Sequence, residues 1–163
     1  MANLKVTIRE ELILNGYDQG SKNTLTISDV DEVFKRIVTC PANNETTVAR
    51  FRSWVGNASG TATFDSALDV QDVKYVRLTN LDSSNSLNLS LQIEVGEDDT
   101  GADTSATVLV EAGKSFMMGT PHDGIATSDA NANVITTLVD LESLIVDPAA
   151  NDVAVELFIA GAV

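Results

Sequence analysis

The chain has 163 residues, 44% of them hydrophobic and 21% charged, enough apolar material for one ordinary core and too much for a disordered chain. Ten Lys and Arg against 24 Asp and Glu give a formal charge of −14 and a pI near 4.1, which opposes a polyphosphate backbone and excludes nucleic acid as an expected partner. Lys5, Arg9 and Glu10 interrupt the stretch where a secretion signal needs an unbroken apolar run, and the longest apolar stretch, Leu157 to Val163, is seven residues, far short of the roughly 20 of a membrane helix.

The predicted elements are almost all strands. Leu4, Val6 and Ile8 alternate with polar residues, the period of a half-buried strand, and Asn15-Gly16 starts the loop that follows. A second strand is expected over 22–28. From Ser28 to Val38 two patterns compete. Val30, Val33, Phe34 and Ile37 fall at helical spacing behind a Ser28/Asp31 capping box. Val33, Lys35, Ile37 and Thr39 also alternate with Phe34, Arg36, Val38 and Cys40, and the β-branched residues crowding Ile37–Thr39 favour the strand. Further strands are expected over 46–55, 61–64, 73–81, 87–95, 105–111, 114–118, 133–146 (two strands or one bent one) and 153–160. The clearest alternation is Leu87, Leu89, Leu91, Ile93, Val95, and Ala112-Gly113 is placed to make a tight hairpin between its neighbours.

About ten short strands, with Pro41, Pro121 and Pro148 and most glycines falling between them, predict an all-β, jelly-roll-like β-sandwich forming a single domain over 1–163. The polar stretches 96–104 and 119–132 are the expected long loops. Charge is uneven along the chain. Residues 1–77 carry nine basic and ten acidic side chains, whereas 78–163 carry Lys114 against fourteen acids; this suggests a near-neutral contact side and an acidic solvent side, provided the fold segregates the halves.

Residues fit for chemistry are scarce. His122, the single histidine, lies in a Pro- and Gly-flanked loop and lacks a Gly-x-Ser-x-Gly partner motif. Cys40, the single cysteine, is expected to be an inert buried thiol and rules out an internal disulfide. Glu97, Asp98, Asp99 and Asp103 cluster around Gly101, and Asp98, Asp99 and Asp103 are weak calcium candidates whose spacing is not that of an EF-hand. Gly113-Lys114-Ser115 lacks the earlier glycine of a phosphate loop. No catalytic residue, cofactor or other metal site is expected. If Phe51 points inward, Val48, Arg50, Arg52 and Trp54 form an outward row suited to protein contact, because Arg and Trp are enriched at interfaces.

The run Val73–Leu81, then Leu87–Val95, then Leu109–Gly119 with Ala112-Gly113-Lys114-Ser115-Phe116, closing with Val153–Ala160, resembles small virion structural proteins of tailed bacteriophages in strand order and hairpin style over roughly residues 30–160. The resemblance implies a non-enzymatic protein of the virion, assembled in the host cytoplasm. A capsid decoration or cement role is the first expectation, and a neck, tail or fibre component that binds a host surface or a neighbouring virion protein is the second. The implied partners are the major capsid protein or another virion protein, and further copies of the chain, with a trimer favoured by three-fold capsid sites.

Overall fold

The computed structural model describes residues 2–52, 68–93, 104–119, 126–127 and 139–162, and every regular element among them is a strand. They are β1 (Ala2–Glu10), β2 (Ile13–Leu14), β3 (Tyr17–Asp18), β4 (Ser21–Val30), β5 (Glu32–Cys40), β6 (Thr46–Arg52) and β7 (Leu68–Asp69). After these come β8 (Val73–Asn80), β9 (Leu87–Ile93), β10 (Thr104–Val110), β11 (Ser115–Gly119), β12 (Ala126–Thr127), β13 (Val139–Pro148) and β14 (Val153–Gly161). Four of the fourteen are two-residue bridges, leaving ten strands of five residues or more among the described residues; the strand expected over 61–64 lies outside the described residues.

Two sheets form a sandwich. One runs β10-β9-β13-β6-β7 with β12 beside β13; the other runs β11-β8-β14-β5. The inward residues follow directly from the period of two. On β14, Val153, Val155, Leu157 and Ile159 are buried, while Ala154, Glu156 and Phe158 lie on the opposite face. On β9, Leu87, Leu89 and Leu91 are buried against them in one continuous cluster that also takes Leu78, Leu141, Leu144, Val146 and Phe51. Burying each such side chain contributes roughly 1.5–3 kcal/mol, and the cluster is what holds the sheets face to face. From β5 onward the chain crosses between sheets at nearly every step: β5, β8, β11 and β14 in one, β6, β9, β10 and β13 in the other.

The stretch 28–38 resolves into the end of β4 and the start of β5, divided at Asp31. Phe34, Val38 and Cys40 face the core while Val33, Lys35, Ile37 and Thr39 are exposed, the strand parity rather than the helical one. Strand partners explain the outcome, because β5 pairs with β14 along its whole length, from Glu32↔Gly161 to Cys40↔Val153.

The Ala112-Gly113 turn, expected to close a hairpin, does something different. It is tight, with Lys114 N donating to Glu111 O at 3.1 Å and Gly113 at φ 68°. Yet β10 pairs with β9 and β11 with β8, so the turn carries the chain from one sheet to the other. β13 is a single strand over its described residues, with one register shift against β9 and another against β6.

The two charge halves are not segregated within the sandwich. β5 from the first half lies beside β14 from the second, and β6 lies beside β13. Only the segment before β5 is a structural unit drawn from one half.

At one end of the sandwich a buried asparagine joins the sheets. Asn80, fully buried at the end of β8, donates through Nδ2 to Asn85 O at 2.8 Å and to Val110 O of β10 in the other sheet at 3.2 Å. Its Oδ1 accepts from Asp82 N at 3.0 Å. Asp82 in turn accepts from Ser84 N and Asn85 N, both at 2.7 Å, and these N–H donors hold its carboxyl below the usual carboxylate range.

Candidate interaction surface

The segment before β5 is a long hairpin arm. β1 and β4 pair antiparallel in the register Val6↔Leu25, Ile8↔Asn23, Glu10↔Ser21. The ladder continues through Gln19 N donating to Leu12 O at 2.8 Å into the β2–β3 pair, Leu14↔Tyr17. Asn15 and Gly16, read from sequence as the start of a loop, are instead the two central residues of the tip turn. Both have positive φ, 53° and 83°, the requirement of a type I′ hairpin turn. At Gly20 the two strands crowd each other, since a Cβ there would overlap the carbonyl oxygen of Glu10; only glycine fits.

The base of the arm is anchored. Leu4, Val6, Ile27 and Val30 pack with Tyr75, Phe158 and Ala160 in a second, smaller cluster on the outer face of the β11-β8-β14-β5 sheet. The Tyr75 and Phe158 rings meet edge to face at 6.1 Å, and burial pushes the Tyr75 hydroxyl pKa up despite the opposing pull of Arg77. Two strands alone are marginally stable in water, so this cluster is what fixes the arm's direction.

The remainder of the arm is uncovered and apolar. Ile8, Leu12, Ile13, Leu14 and Tyr17 are five of the twelve exposed large hydrophobic residues found among the described residues, with Ile13 at 78% and Tyr17 at 72% exposure. Scattered exposed apolar residues are ordinary, but a contiguous group at the end of a projecting element marks a contact surface. Burying each of Ile13, Leu14 and Tyr17 against a partner would contribute roughly 1.5–3 kcal/mol. Glu10, Glu11 and Asp18 surround the tip, and no Lys or Arg occurs between residues 10 and 21. Arg9, at the tip's edge, is engaged with Glu11 at 2.6 Å.

Beside the arm's base, the outer face of the same sheet stays open. Ile37 is 66%, Val33 54% and Met117 45% exposed. Strand register sets Met117, Arg77, Phe158 and Lys35 in one row across the four strands. Arg77 donates to Glu156, and Lys35 approaches the other oxygen of that carboxylate at 3.6 Å. Arg36 has the opposite parity: it lies on the Phe34 side of β5, its guanidinium 4.8 Å from the centre of that ring.

The row read from sequence as Val48, Arg50, Arg52 and Trp54 does not form one exposed stripe. Phe51 does point into the core, at 1% exposure, but Val48 is buried too, at 7%. The reason is a bulge: Leu144 faces Ala49 and the next residue, Ile145, faces Thr47, so Val48 is the extra residue and the alternation changes phase there. Arg50 is exposed on β6. The Arg52 side chain and Trp54 lie outside the described residues, as do His122 and the calcium candidates Asp98, Asp99 and Asp103. Among the described residues no three metal-ligating side chains come together, and no helix is long and apolar enough to cross a membrane. Cys40 is fully buried, which pushes its thiol pKa up against a weaker opposing hydrogen bond from Thr46.

The arm is not legible in the sequence because its inner and outer residues alternate like those of any strand. The available signal was the combination of Asn15-Gly16 with apolar residues on both sides of it, Leu12, Ile13, Leu14 and Tyr17, too many for a turn that ends in water. No family model, curated protein or solved structure matches the chain.

Proposed function

We propose that the protein is a non-enzymatic structural component of a phage particle, a capsid decoration or cement protein that acts through repeated, symmetric protein contacts. The observation that carries this reading is the projecting arm, anchored at its base and apolar at its tip, because such a tip gains stability only when another protein covers it. The resemblance of the β8–β14 strand sequence to small virion proteins supplies the setting. The alternation of eight strands, β5-β14-β8-β11 in one sheet and β6-β13-β9-β10 in the other, supports a jelly-roll reading of the sandwich. The partners on this reading are the major capsid protein and sister copies, with a trimer at three-fold sites.

Purified particles imaged by cryo-electron microscopy test the proposal. Density for the sandwich on the head lattice, with the arm reaching a neighbouring subunit, is the expected result. Density at the neck, tail or fibre favours that placement instead, and a particle lacking the chain refutes the virion reading.

A further inference from the structure

The arm's tip and the open sheet face are matched to each other, yet one molecule cannot join them. The arm leaves the sandwich at Leu4, Val6, Ile27 and Val30, and nine residues at about 3.3 Å each separate Leu4 from Ile13, a run of about 30 Å. Nothing in the described chain covers Ile13, Leu14 or Tyr17, so the tip does not rest on its own outer face.

We propose that the tip of the arm, Glu10 to Asp18, docks on the outer face of the β11-β8-β14-β5 sheet of a second copy of this chain, against Ile37, Met117 and the cations Lys35 and Arg77. This rests on the protein-contact function proposed above and names the partner of that surface. Charge favours it. The tip carries Glu10, Glu11 and Asp18 and no basic residue from there to its end, while the receiving face carries Lys35 and Arg77 against the one carboxylate Glu156. Apolar residues match as well, Ile13, Leu14 and Tyr17 on one side and Val33, Ile37 and Met117 on the other, all exposed in the single chain. The receiving area also continues the face on which each arm already rests, through Phe158 and Tyr75. Because donor and acceptor patches are different surfaces, the contact is head to tail and builds a closed ring, or an open chain where the rotation does not close.

The test uses the full chain in three forms: wild type, a tip variant with Ile13→Asp and Leu14→Asp, and a face variant with Ile37→Asp. All three substitutions are at exposed positions, and unchanged circular dichroism and melting confirm folding. By sedimentation velocity the wild type is expected to be an oligomer, with each variant at least about tenfold weaker in self-association. Mixing the two variants is expected to restore a 1:1 complex, since the intact tip of one meets the intact face of the other. If a variant misfolds, Glu10→Lys with Glu11→Lys and the reversal Lys35→Glu replace it, each weakening association alone and recovering it when mixed. A wild type that stays monomeric at about 100 μM, an oligomer indifferent to the tip variant, or a mixture that does not associate overturns the proposal. A monomer that still decorates particles leaves the virion function standing without arm exchange. An oligomer absent from particles does the reverse.

Discussion

Asn80 is the polar group whose removal the sandwich should feel most. Asn80→Ala deletes three hydrogen bonds at a site with 0% exposure, to Asn85 O, Val110 O and Asp82 N. A buried group left without a partner costs about 1–3 kcal/mol. The bonds in the 82–85 turn are only partly buried, so water recovers some of their loss, whereas Val110 O lies inside. The expected total is about 2–4 kcal/mol, and at about 2–4 °C per kcal/mol for a chain of this size the melting temperature falls by about 5–15 °C. Asn80→Asp adds a sharper discriminator. The new carboxylate would face two carbonyl oxygens in a dry site, which raises its folded pKa above the ordinary value of about 3.9. A folded-state pKa raised for an acid means that the folded chain holds the proton more tightly, so stability falls as pH rises through the unfolded value toward the folded one. The penalty of Asn80→Asp should therefore be larger at pH 7 than at pH 4, while that of Asn80→Ala stays nearly level. Urea denaturation of the three proteins at both pH values measures this. An Asn80→Ala penalty below about 0.5 kcal/mol, or an Asn80→Asp penalty independent of pH, would show that the inter-sheet bond does not stabilise the fold.

Leu157→Ala, at the fully buried centre of β14, should lower unfolding free energy by about 2–5 kcal/mol, read from the urea midpoint at unchanged slope. Gly20→Ala should force the arm's strands apart at Glu10 and increase protease cleavage within residues 8–22 while the sandwich melts at its original temperature, since the arm's anchoring cluster is untouched. Cys40, buried and with its thiol pKa raised, should react with a thiol reagent only as fast as the protein unfolds, and added urea should accelerate labelling in step with the unfolded fraction.

Strand existence was the most legible level of this fold. Val153, Val155, Leu157 and Ile159 declare their inner face by period alone, and the same rule places Leu87, Leu89 and Leu91. Sheet membership was not legible. Ala112-Gly113 has the local chemistry of a hairpin turn, and what makes it a crossover is that β8 and β9 have already taken the partners β11 and β10 would otherwise find in each other. Val48 illustrates a second limit, because a single bulged residue reverses facing and a bulge depends on the partner strand. Asn80 reads as an ordinary residue at a strand end, and only the approach of Val110 from the other sheet gives it a structural task. The contact surface escaped for an opposite reason. Arg50 and Trp54 stand out by residue type, whereas the arm is distinguished by where its apolar residues end up, uncovered beyond an anchored base.

The position of β14 governs how the molecule comes into being. It lies between β8 and β5, pairing Gly161 with Glu32 and with Val73, so the sheet has no centre until residues 153–161 have left the ribosome. The arm needs only residues 2–30 to form its ladder, although its anchor waits for Phe158 and Ala160. During synthesis the chain therefore passes through a stage in which a local hairpin can form while the strands meant to support it are still unpaired. Its apolar tip is exposed throughout that interval, and completion of β14 is the event that converts a loose hairpin into an aimed one.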